Sequence, residues 1–258
     1  MRLMKRILSA AAVLALSASL LVGCSSGTAS SVPVSASSAA ESTVSSVEET
    51  ASSAVDENVA AAAQLLNDLT GSYQELWPVI LADEYQQTWL DDCTALVGED
   101  NAEAAFEKLS SMVTGDVYGE DAVKAYANGG GAYFCGFTNS LATLTFDGET
   151  STISGTDKDG NVLFSHTYHY IGMEPVRGLY EFQSDDADSG EFTYFFLAPD
   201  TSAETYHIEF RYGSDADALS QYDAGDYAYW VASGISTDCD QTMIDNCIEL
   251  FCTENLAG

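Results

Sequence analysis

Between residues 132 and 212 the chain breaks into short runs of alternating apolar and polar residues, each separated from the next by turn formers. Neighbouring side chains on a strand project to opposite faces, so alternation of period two describes strands with one buried face. The runs fall at 132–138, 141–147, 150–155, 161–171, 176–183, 191–198 and 204–212. Asp147-Gly148 and Asp159-Gly160 supply hairpin turns, because glycine accepts the left-handed backbone that tight turns need. Consecutive strands at this spacing predict an antiparallel barrel or sandwich rather than a parallel sheet with helical crossovers.

Helical patterns flank this block. Asp56 is placed to cap a helix running to Leu69, with Gly71 as its stop. Others cover Glu84–Val97, Ala102–Met112 and Asp121–Ala127, before the break at Gly129-Gly130-Gly131. After the strands come a helix near Asp215–Tyr222, a Tyr/Trp segment at Tyr227–Val231 and a terminal helix from about Thr237. In the last, Ile244, Cys247, Ile248, Phe251 and Cys252 share one helical face. The triple glycine lacks a following Walker lysine or dinucleotide spacing and reads as a linker.

The first 23 residues read as a signal peptide. Arg2, Lys5 and Arg6 precede an apolar stretch from Ile7 to Val22 that is too short to span a membrane stably. It closes in Leu21-Val22-Gly23-Cys24, which resembles the lipobox of bacterial lipoproteins and implies cleavage before Cys24 and lipidation of its thiol. Residues 24–55, rich in Ser and Ala, read as a flexible tether. The remaining 56–258 suits one folded domain. The expected location is the extracytoplasmic side of the cell membrane, held by the lipid.

Past the signal, five basic residues face forty acidic ones, a balance of about −35. Such a surface repels nucleic acid and concentrates cations. Five cysteines remain beyond Cys24; a disulfide such as Cys93–Cys135 is compatible with an exported protein, and sequence assigns no pairing. Cys247 and Cys252 read as small buried side chains. Asp157-Lys158-Asp159-Gly160-Asn161 and the acidic run 185–191 miss the register of a calcium loop and read as a turn and a solvated loop. Neither a nucleophile elbow nor a thiol–histidine pair is legible, so an enzyme is not expected.

Histidine and glutamate in the last strand carry the chemistry. In Glu204-Thr205-Tyr206-His207-Ile208-Glu209-Phe210-Arg211-Tyr212-Gly213, His207 and Glu209 stand two apart and so share a strand face. An imidazole beside a carboxylate suits zinc, which asks for three or four N, S or O ligands. His166 and His169, three apart, should point to opposite faces.

The segment His207–Asp215 resembles the His-x-His-x-x-x-Gly stretch of the ZinT (YodA) family of zinc-binding proteins, which also forms the C-terminal domain of AdcA-type lipoproteins. Phe195-Phe196-Leu197-Ala198-Pro199 is similar to the strand that precedes it in the family. Val176–Phe182 is similar to Val-Arg-Tyr-Leu-Phe-Glu, and Leu69–Pro78 to the family's opening aromatic segment. The resemblance implies a calycin or lipocalin-like antiparallel β-barrel with flanking helices, holding zinc in its mouth through three histidines. Carried over by position, these fall on His207, Glu209 and Phe195. The last cannot coordinate, so His169 is taken as the candidate replacement ligand, on a strand expected to lie nearby. The expected function is capture of zinc or another divalent ion, or its delivery to a metal importer. The alternative is a binding module for a non-metal ligand or partner whose metal site has been lost.

Overall fold

A computed structural model describes residues 57–129, 131–198 and 207–256, all within the compact unit Val47–Gly258. The signal, Cys24 and the tether lie outside the described residues. Eight strands close into an antiparallel barrel in which each pairs with its sequence neighbours and β1 (Gly71–Glu75) returns to β8 (Ala232–Ser236). Between them run β2 (Thr143–Asp147), β3 (Thr152–Thr156), β4 (Val162–Met173), β5 (Tyr180–Ser184), β6 (Tyr194–Leu197) and β7 (His207–Gly213). The calycin-like barrel expected from the sequence is the fold observed.

The register decides which side chains enter the barrel. Tyr73 faces Leu144, Phe146 faces Ile153, Phe182 faces Phe195, Phe195 faces Tyr212 and Leu197 faces Phe210. These residues form one continuous inner surface and are all buried. An eight-stranded barrel is narrow enough for side chains to fill it. Here aromatic rings do so: Phe195 lies between Phe164 at 5.8 Å and Tyr212 at 5.4 Å. Trp230 meets Tyr212 edge to face at 5.0 Å and donates from Nε1 to the Gly136 carbonyl.

Two of the strands were not legible. β8 reads Ala-Ser-Gly-Ile-Ser and is buried along nearly its whole length. It is covered on both sides, by the barrel core and by helices, so it shows no alternation. β1 follows directly on the first helix, and its Gly71 was read only as a helix stop. Conversely, 132–138 is not a strand. Phe134 makes isolated bridges to Thr114 and Trp230, and the Thr138 amide donates to the Tyr212 hydroxyl at 2.6 Å. The segment crosses the end of the barrel instead of joining its wall. The Asp147 and Asp157 carboxylates accept backbone amides within their own turns, as hairpin turns require.

Helices cover part of the outer wall. After α1 (57–68) come α2 (Leu76–Ile80), α3 (Gln86–Val97), α4 (Ala102–Val113), α5 (Glu120–Ala127), α6 (Ala216–Leu219) and α7 (Gln241–Leu256). The second core joins α2, α3, α4 and α7 to Ile235 on the outside of β8. Phe251 of α7 packs on Trp77 at 4.7 Å and Trp89 at 5.9 Å, and Trp89 Nε1 donates to the Ile80 carbonyl. Each large ring removes roughly 150–250 Å² from water, which makes this cluster the main clamp on α7. No described helix is long and apolar enough to cross a membrane.

Candidate functional site

β7 carries two faces with different fates. Ile208, Phe210 and Tyr212 enter the barrel, so His207, Glu209 and Arg211 lie on its outer wall. Across from them on β8 stand Ile235 and Ser233, and on β6 Phe196 pairs with Arg211. The shared face of His207 and Glu209 is therefore as expected. Its location is not: the pair sits outside the barrel, beneath α7, and not in the mouth.

His207 and Glu209 open into a small groove of about 70 Å³ lined also by Leu76, Trp77, Ile80, Cys247, Leu250, Phe251 and Glu254. The groove continues along Trp77 and Phe251 toward Cys135, Arg177 and Ser233. Burial, with smaller contributions from Cys239, Glu254 and Glu209, pushes the Cys247 thiol up to about 12. Burial and then Glu209 do the same to Cys135, also to about 12. Both thiols are therefore protonated at neutral pH in the metal-free fold.

The other expected ligands do not join the pair. β4, which carries His169, pairs with β3 and β5 and not with β7. His169 is exposed on the outer wall, its Nδ1 2.7 Å from Asp185 Oδ1. His166 is on the inner face of the same strand, opposite Ile153, with Nδ1 2.8 Å from Asp186 Oδ2. The two histidines do point to opposite faces, yet both find partners in the acidic loop read as merely solvated. Phe195 lies on the inner face of β6, with the barrel wall between it and the His207–Glu209 pair. The residue that stands opposite the pair is Ala198, immediately past β6, whose amide donates to the Glu209 carbonyl at 3.0 Å. The donor types at His207 and Glu209 suit zinc, but their number falls short. Among the described residues, no group of three His, Cys, Asp or Glu side chains could hold a metal ion.

Arg211 shows what sequence reading missed on this face. Its guanidinium is fully buried and donates to the carbonyls of Leu219, Gln221 and Tyr227. It thereby ties β7 to the loop that follows α6. The Tyr222 ring lies 4.3 Å from the Arg211 guanidinium and 4.5 Å from that of Arg177, while its hydroxyl donates to Glu174. Two of the five basic residues beyond the signal thus serve the scaffold. A guanidinium held through its two terminal nitrogens by backbone carbonyls leaves no periodic signal that sequence could have shown.

No protein-family model and no curated protein sequence matches the chain. Among solved structures it is similar to the zinc-bound ZinT-like domain of Streptococcus pneumoniae AdcA, at 14% identity and a TM-score of 0.45, over 71% of this chain and 89% of that one. It is also similar to zinc-bound AdcA from the same organism, at 14% identity and a TM-score of 0.41. That match covers 75% of this chain and 35% of AdcA.

Proposed function

We propose that the groove beneath α7 binds zinc or a similar divalent cation, with His207 and Glu209 as its protein ligands. The observation that supports this reading is their shared position on the outer wall of β7, opening into one groove with Glu254. Imidazole and carboxylate together select a borderline cation over calcium or magnesium, which prefer oxygen alone. With two side chains as ligands, binding is weaker than in a closed structural site and suits an ion that is captured and released. The strongly acidic surface raises the local cation concentration.

On this reading the protein is a binding protein and not an enzyme. The lipobox-like Leu21-Val22-Gly23-Cys24 supports a lipidated chain, held at the outer side of the membrane and passing its cation to an importer. Calorimetric titration of chelator-free protein with zinc tests the metal reading. One equivalent bound, weakened at least tenfold in His207→Ala, supports it; no binding to the unaltered protein overturns it. The aromatic lining of Trp77 and Phe251 favours a second reading, an organic ligand in the same groove, which gains if zinc does not bind. For the anchor, Cys24→Ala should move the protein from the membrane pellet to the soluble fraction.

A further inference from the structure

Away from the groove's floor, two fully buried cysteines meet across the helical layer. Cys93 on α3 and Cys252 on α7 have sulfurs 4.0 Å apart and are separated by 159 residues. The aromatic clamp of Trp77, Trp89 and Phe251 holds the two helices together at this level. From this juxtaposition we infer that Cys93 and Cys252 are a disulfide-forming pair that fastens α7 to α3.

The placement gives the bond a consequence for binding. α7 also carries Cys247, Leu250, Phe251 and Glu254, which form one wall of the groove over His207 and Glu209. A covalent tie at Cys252, next to Phe251, holds that wall at fixed distance from the floor. Without it, α7 is attached only by packing, and local opening of a terminal helix exposes the groove. The inference concerns the wall and stands whether or not the groove takes a metal.

Formation requires a disulfide donor, such as an oxidised thiol–disulfide oxidoreductase or oxidised glutathione. One cysteine of the pair, as thiolate, attacks the donor disulfide and releases the donor's first thiol. The second then attacks the mixed disulfide and releases the other. Two cysteine S–H groups are thereby exchanged for one S–S bond, and their protons end on the two released thiols. Burial raises both thiols above their ordinary range, and in the folded state neither is in reach of a donor. The exchange therefore belongs to folding, before α7 docks, or to its transient opening.

The full-length chain, refolded from urea with oxidised glutathione, provides the test. Non-reducing peptide mapping should show the Cys93 peptide joined to the Cys252 peptide. Closing so long a loop should raise Tm by on the order of 10 °C over the reduced protein. Amide exchange in 241–256 should slow in the oxidised form. The Tm difference should vanish in Cys93→Ala and in Cys252→Ala, and the map of the unaltered chain decides the matter if either variant fails to fold. All thiols remaining free, or a link between any other two cysteines, overturns the inference.

Discussion

The Arg211 guanidinium lies over the Tyr222 ring at 4.3 Å, fully buried, in a protein whose acidic residues outnumber its basic ones five to one. A charge this deep is tolerated because carbonyls of Leu219, Gln221 and Tyr227 accept from its two terminal nitrogens and the ring face adds a cation–π contact, although its Nε–H is buried without a partner among the described residues. Arg211→Met fills the space but leaves those carbonyls unsatisfied. Urea unfolding should show a loss of about 3 kcal/mol. Arg177→Ala removes an exposed partner of the same ring and should cost less than about 1 kcal/mol. Equal losses in the two variants would refute the division of roles.

On the groove, zinc affinity should discriminate between histidines. Glu209→Gln removes the carboxylate charge and should weaken binding about tenfold or more, as loss of one ligand does. His169→Ala should leave affinity unchanged, since β4 is not a neighbour of β7. Weakened binding in His169→Ala, measured by calorimetry, would contradict the register.

The same register makes a sharper statement about β6. Ala198 stands opposite Glu209 on the outer wall, whereas Phe195 packs inside. Ala198→His should therefore add a ligand and tighten zinc binding by about tenfold or more, at a cost in stability from crowding. Phe195→His should lose stability by about 3 kcal/mol and gain no affinity, because it places an imidazole among aromatic rings. Competition with a colorimetric chelator reads both outcomes.

Alkaline conditions should unfold the protein early. Cys135, Cys247, Tyr73 and Tyr222 are all raised to about 12, from ordinary values of 9.0 for the thiols and 10.0 for the phenols, chiefly by burial. Between the ordinary and raised values the unfolded chain has lost protons that the folded chain keeps, so unfolding becomes more favourable as pH rises. Stability from these groups is complete below pH 9 and is lost progressively between about 9 and 12. Urea midpoints across that range should fall, and less steeply in Cys135→Ala. A flat profile would show that the thiols are not held neutral by the fold.

The barrel was largely legible because alternation is a local signal: six of its strands, β2 to β7, were recognisable as short half-buried runs bounded by turns. α7 was legible for the same reason, its buried Ile244, Cys247, Ile248 and Cys252 recurring at helical spacing. β8 was not, since burial on both faces erases alternation, and neither was the loop 132–138, whose apolar residues cap the barrel end. At the site, the spacing of His207 and Glu209 was enough to put them on one face, because side-chain direction on a strand follows from parity alone.

Which face that was, and what stood across from it, only the closed barrel decided. Closure and register turned Phe195 inward and the pair outward, set Ala198 opposite Glu209, and left His169 three strands away with Asp185. It also brought Cys93 to Cys252 rather than to Cys135. Parity along a strand is a property of the covalent chain and can be counted. Contacts between residues far apart in sequence depend on how strands align and helices dock, which is settled by the packing of the whole core.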